Sequence, residues 1–222
     1  MTKIKLYSII ASVITAFTPV EAQILLTDTP GTGFTTAYTG SYNLGYQFSV
    51  GATALSVSSL GFYDMDLNGL ADSHQVGLWR TDGSLLASVN ISSGLHLLDH
   101  GFAFEHLAAP VLLDANTDYV LGAYWPSTAD KVYADFFAGS QPLFTGATLV
   151  GSRLQSVRDP GLEFPSRFDP NGFAWIGANL TYSPVPEPST YALSGSAFLV
   201  GLAVVQSRRK RLRSSAPAAG TP

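Results

Sequence analysis

The chain has 222 residues, a formal net charge of −4, only 13% charged residues and no cysteine. A fold without cysteine has no disulfides or thiolate metal sites, so its core must hold it, alone or with an oxygen-ligated ion. The charge is unevenly spread: residues 23–183 carry twelve Asp and two Glu against Lys131 and four Arg, a net of −9, which repels phosphate backbones and argues against nucleic acid as a partner.

Lys3 and Lys5 precede an uncharged run from Leu6 to Val20, followed by Glu21 and Ala22. A basic start, a short apolar centre and an Ala exit read as a secretory signal peptide, residues 1–22, cut by signal peptidase after Ala22. A retained N-terminal anchor is the weaker alternative, because the run is short and contains Ser and Thr. About 160 residues then remain to fold, one domain able to bury about 70% of its unfolded surface.

Period-two alternation recurs through residues 23–183, with no long helical stripe. Leu44, Tyr46, Phe48 and Val50 point one way and Gly45, Gln47 and Ser49 the other, the pattern of a half-buried strand. Leu55 and Val57 start a face that changes phase before Leu60 and Phe62, which predicts a β-bulge near Ser58-Ser59. Val76, Leu78 and Arg80 alternate with Gly77 and Trp79, and Thr81-Asp82-Gly83-Ser84 turns the chain into Leu85, Ala87, Val89 and Ile91. Asp-Gly between two alternating runs is a strong hairpin signal. Further strands are expected at His100–His106, Val111–Leu113, Tyr119–Trp125, Val132–Phe137 and Ala174–Tyr182. Pro142, Pro160, Pro165 and Pro170 make residues 139–172 read as a surface excursion. About nine short strands imply an all-β fold, an antiparallel two-sheet sandwich of jelly-roll-like form.

After residue 183 the composition changes. Pro186, Glu187 and Pro188 form a stiff spacer, residues 184–188, that holds the sandwich off the membrane. An uncharged run of 19 residues, 189–207, spans roughly 28 Å as a helix, close to the ~30 Å of a bilayer. Arg208, Arg209, Lys210, Arg211 and Arg213 follow in a tail, 208–222, and keep that end cytoplasmic, so the preceding domain lies outside. Seven strongly apolar residues favour insertion by only about 3 kcal/mol, adequate for a transient anchor and thin for a permanent one.

This order of motif, helix and basic cluster resembles the PEP-CTERM sorting signal of Gram-negative bacteria. The resemblance implies recognition by an exosortase, a membrane protease-transpeptidase that cuts near the motif, and delivery to the envelope or an exopolysaccharide matrix. The run departs from the pattern at Ser194, Gly195, Ser196 and Gln206, and nine residues trail the basic cluster; an unprocessed C-terminal anchor is the alternative. The stretches LGYQFSV, LGFYD and ADSHQVGLWRTDGSLLASVNI between Leu44 and Ile91 resemble a β-sandwich domain of unknown function in secreted bacterial proteins. The likeness extends weakly to TDYVLGAYW at Thr117–Trp125. It implies a fold and no chemistry.

Candidate chemistry is sparse. There is no nucleophile elbow, zincin helix, phosphate loop or dinucleotide fingerprint. His96, His100 and His106, with Asp99 and Glu105 interleaved, are the histidine cluster; if Phe102 and Phe104 face the core, His100 and His106 share that side, roughly 20 Å apart and too far for one metal. Among Tyr38, Tyr42, Trp79, Tyr124, Trp125, Tyr133 and Trp175, Trp79 is the best candidate for a sugar-stacking face, since Val76, Leu78 and Leu85 fill the core without it. Glu105 and Glu163 are the available Glu acids for glycoside hydrolysis, neither in a recognisable motif. The glycosylation-like sequences at Asn90 and Asn179 carry no weight in a bacterial protein. Asp64, Asp66 and Asn68 followed by Gly69 match the first half of an EF-hand loop, with the Leu70 carbonyl and Asp72 at later ligand places and Gln75 where the bidentate Glu belongs. The loop therefore reads either as a weakened calcium site or as a solvated turn.

The expected protein is an exported β-sandwich with a binding or structural role associated with exopolysaccharide. Its expected partners are an exosortase-type enzyme, signal peptidase, envelope polysaccharide and the membrane through its C-terminal helix. The alternative is a secreted enzyme acting on polysaccharide.

Overall fold

The structure is a computed structural model that describes residues 22–26, 34–36, 41–136, 146–156, 160–170 and 173–185. The leader up to Glu21, the Pro186-Glu187-Pro188 motif, the span 189–207 and the basic cluster Arg208 to Arg213 lie outside the described residues, as does Tyr38.

The described strands run in the order β1 (Gln23–Ile24), β2 (Phe34–Thr36), β3 (Tyr42–Val50), β4 (Leu55–Tyr63), β5 (His74–Arg80), β6 (Leu85–Ile91), β7 (Leu98–Asp99), β8 (Phe102–Leu113), β9 (Asp118–Trp125), β10 (Val132–Phe136), β11 (Ala147–Ser156), β12 (Arg167–Asp169), β13 (Phe173–Ile176) and β14 (Ala178–Pro184). They form a five-stranded sheet, β1-β14-β4-β8-β7, and a six-stranded sheet, β12-β11-β3-β9-β5-β6, with β13-β10-β2 as a smaller third ribbon. Every pairing in the two large sheets is antiparallel. The fold is all-β, as the alternation implied.

One core serves both large sheets. Leu44, Tyr46, Phe48 and Val50 of β3, Val76 and Leu78 of β5, and Tyr119, Leu121 and Trp125 of β9 meet Val57, Leu60 and Phe62 of β4 and Leu180 and Tyr182 of β14. Burying each large apolar side chain is worth about 1.5–3 kcal/mol, so the alternation itself sets which face turns inward. The expected bulge is present: pairing between β4 and β8 shifts between Val57 and Ser59, and that between β14 and β4 shifts opposite the same place.

Three expectations require correction. β3 is not half-buried, because Asn43 and Gln47 on its other face are buried too. Residues 139–172 are not simply an excursion, since β11 pairs with β3 from Ala147↔Val50 to Ser156↔Tyr42. A register shift between Leu149 and Gly151 hides its alternation, and the prolines fall outside it. The strand expected from His100 begins at Phe102, because His100 (φ 49°) and Gly101 (φ 80°) form a two-residue turn between the Asp99↔Phe102 pair. Both central residues at positive φ is the hairpin-compatible turn geometry, with His standing where Asn or Asp is the usual signal.

The middle of the six-stranded sheet's outer face, over β3, β9 and β5, is covered by its own chain. Gly45, Gly122 and Gly77 sit side by side across β3, β9 and β5, leaving a shallow floor without side chains. The Trp79 ring lies over Gly77, and Leu162, Phe164 and Pro165 close over it. Asn43 Nδ2 donates to the Gly161 carbonyl (3.2 Å), and the Leu162 N–H to Gln75 Oε1 (2.9 Å), pinning this strap. Arg153 holds its far end by lying under the Phe164 and Phe168 rings and donating to the Ser166 carbonyl; burial lowers the pKa of its guanidinium.

Candidate functional site

The five-stranded sheet carries an open groove on its outer face. Its outward side chains follow from register: Thr181 lies opposite Ser59, Ser59 opposite His106, and Gly61 opposite Phe104. A groove of about 470 Å³ crosses these strands, lined by Thr181, Ser58, Ser59, His106, Phe104 and Asp99. Leu97 and Leu98 form one wall, and Ala22, just ahead of the expected leader cut, also borders it.

The bulge builds the polar part of this trench. The extra residue, Ser58, meets the Thr181 hydroxyl at 3.0 Å, while Ser59 Oγ meets His106 Nδ1 at 2.9 Å. No partner among the described residues meets His106 Nε2, so the exposed imidazole is fixed at one nitrogen and open at the other. Phe104 supplies the apolar part. A Cβ on Gly61 would fall 2.5 Å from Cδ1 of the Phe104 ring, so the missing side chain is what lets the ring lie on the sheet.

The Ser59–His106 contact resembles a nucleophile and its base, yet Ser59 is only 2% exposed. Among the described residues no carboxylate holds the imidazole; Asp99 lies 3.8 Å from His100 instead. A base without an orienting partner lacks the third member such chemistry uses. The same parity places Phe102 and Phe104 with His106 on the outer face, and Ala103, paired with Phe62, toward the core. Phe102 is itself buried, against the Tyr63 and Phe104 rings. His96 is held apart, bonded to the Ser92 carbonyl at 2.7 Å.

Trp79 does share the Gly77 face, as expected, but it is only 3% exposed. Its ring packs edge-on to Phe164 at 6.1 Å and cannot meet a ligand while the strap is in place. Trp125 and Trp175 are buried as well. Tyr124 is buried, while Tyr42 is half-buried against the core.

The Asp64–Asp72 loop is closed by its own bonds. Asp64 is buried and Oδ2 accepts the Gly69 N–H at 2.9 Å; Gly69 has φ 98° and Leu67 φ 56°. Leu70 exchanges both backbone hydrogen bonds with Gly94. Asp66 lies 3.7 Å from Lys131 Nζ, Asp72 accepts from the Ser127 hydroxyl, and Asn68 is exposed. Among the described residues no three His, Cys, Asp or Glu side chains gather as a metal-holding group.

Sequence reasoning passed over His74 and Asp130. The Asp130 carboxylate accepts the Ala71 and Asp72 N–H groups at 2.9 and 2.8 Å and meets His74 Nε2 at 2.9 Å. Burial works to raise its pKa, but the hydrogen bonds from His74, Ala71 and Asp72 and the charge of His74 together hold it below the ordinary value. His74 occupies an inward position of β5 and Asp130 lies 56 residues away in a loop, so only a fold can pair them.

Two family models match the chain. The PEP-CTERM protein-sorting motif covers residues 184–210, the tail singled out by its Pro-Glu-Pro, apolar run and basic cluster. No curated protein matches. The second model covers residues 27–175, most of the described sandwich, and by that match the chain belongs to the family described as Domain of unknown function (DUF4082).

Proposed function

We propose that this is an exported β-sandwich protein which exosortase-type processing delivers to the cell surface or extracellular matrix, where it has a non-catalytic binding or structural role on exopolysaccharide. The sorting motif at residues 184–210 carries the reading, since it supports export and exosortase processing. The apolar run and basic cluster after it would serve as a membrane anchor until the motif is cut. Serine-nucleophile turnover in the trench is disfavoured because Ser59 is buried and His106 has no orienting carboxylate among the described residues.

The test is the intact mass of the protein recovered from the envelope. A mature species lacking both the leader and the residues after the Pro-Glu-Pro motif is expected. Glu187→Ala should block that maturation while leaving the sandwich folded. A dominant stable species that still contains Arg208 to Arg213 would leave a simple anchor in place of sorting.

A further inference from the structure

We propose that the trench across the outer face of the five-stranded sheet is a binding site for a neutral polysaccharide chain, with Phe104 as the stacking platform and Ser58, Thr181 and His106 as its hydrogen-bonding groups. This deepens the proposed exopolysaccharide association and rests on it.

Three observations carry the assignment. The Cδ1 and Cε1 atoms of Phe104 sit against Gly61, and the half-buried ring lies in a mainly apolar groove, with Leu97 and Leu98 on one side and the Ser58 and Thr181 hydroxyls and the His106 imidazole as its polar points. A sugar ring presents an apolar C–H face and a rim of hydroxyls, and one flat aromatic beside several small donor-acceptors meets both. Second, the polar groups can exchange partners. The Ser58–Thr181 pair can be donated from either side, and His106 Nε2 is open, so an arriving sugar hydroxyl finds donors and acceptors without leaving a buried group unpaired.

Third, direction and charge select the ligand. Thr181, Ser59, His106 and Asp99 sit on β14, β4, β8 and β7, successive strands of one sheet. Thr181, Ser59 and His106 pair directly in line, and the two inter-strand steps of about 4.8 Å between them give a track of about 10 Å, the reach of about two sugar rings lying across the strands, with Asp99 farther along at the groove's end, opposite Phe102. Asp99 borders the track, and residues 23–183 carry a net charge of −9. A uronate-rich or sulfated chain would be repelled both at the groove and at long range, so the fit is to a neutral glycan.

The experiment measures retention of the full-length chain, in detergent, on immobilised dextran, galactomannan and xyloglucan, with alginate and polygalacturonate as acidic counterparts. Retention by at least one neutral glycan is expected, weakened about tenfold in Phe104→Ala and clearly weakened in His106→Ala. His106 is exposed, so that variant keeps the test valid even where Phe104→Ala lowers folding stability. Neutral-glycan retention unchanged in both variants would overturn the trench while leaving the exopolysaccharide reading standing. Retention only by the acidic chains would overturn the neutral-ligand assignment. Retention by none of the five would overturn both, and binding of an envelope protein lost in the same variants would reassign the trench to a protein partner.

Discussion

The imidazole of His74 lies flat against the Phe62 ring, centroids 3.6 Å apart and planes within 9°. Its Nδ1 faces the Tyr124 carbonyl at 3.0 Å and its Nε2 faces Asp130 at 2.9 Å. A carbonyl and an ionised carboxylate only accept, so with Asp130 ionised both ring nitrogens carry hydrogen and the pair is an ion pair set into the core wall. It ties β5, β9 and the Asp130 loop to one point, and through Ala71 and Asp72 it also holds the acidic loop.

Asp130→Asn should therefore cost about 3 kcal/mol at neutral pH, since it strips the charge partner from a buried imidazole. The pH dependence has a definite sign. The folded-state pKa of Asp130 lies below the ordinary 3.8, so its contribution is complete above that value and is lost as pH falls through the lower folded one. Urea unfolding of the two proteins should show their stability difference shrinking below about pH 4. A difference that grows there would contradict the pairing.

Gly177 separates β13 from β14, and a Cβ placed there would overlap the Cη2 and Cζ2 atoms at the edge of the buried Trp125 ring. Gly177→Ala should destabilise by about 3 kcal/mol, the upper range for overpacking a fixed core. Trp125→Phe removes the obstructing ring, so the alanine should cost less in that background. Additive costs in the double-mutant cycle would show that the close approach is not what demands glycine.

Phe164→Ala should open the strap over Trp79. We expect a loss of about 2 kcal/mol, from the ring pair and the Arg153 contact. Trp125 and Trp175 stay buried, so a red shift of tryptophan emission would report Trp79. An unshifted spectrum would mean that Leu162 and Pro165 suffice to cover it.

Asp64→Ala removes the acceptor for the Gly69 N–H and should cost about 1–2 kcal/mol. Because the loop is closed by protein bonds, we expect that cost to be equal in excess chelator and in 10 mM calcium. A melting temperature raised by calcium only while Asp64 and Asp66 are present would instead assign the loop to a cation.

The strand faces are legible in the order of amino acids alone, because a period of two sends Leu44, Tyr46, Phe48 and Val50 to one side whatever they meet there. So is the bulge at Ser58, which a phase change in the apolar pattern reveals, and so is the sorting tail, whose signal is linear order along the chain. Trp79 shows where local reading stops. Its side of β5 is set by alternation, but its exposure depends on Phe164, 85 positions later, folding back across Gly77 and Gly122. The trench follows the same rule. His106 and the Ser58-Ser59 bulge can be singled out in sequence, whereas Thr181 reaches them only through the pairing of β14 with β4. Phe104 becomes a platform only because Gly61 lies opposite it, and His74 a paired ion only because Asp130 arrives from a distant loop. Periodicity is a property of neighbours along the chain, and so the sequence by itself decided faces, turns and address; strand order brings distant residues into contact, and so only the tertiary structure decided what covers each face and which polar groups share a site.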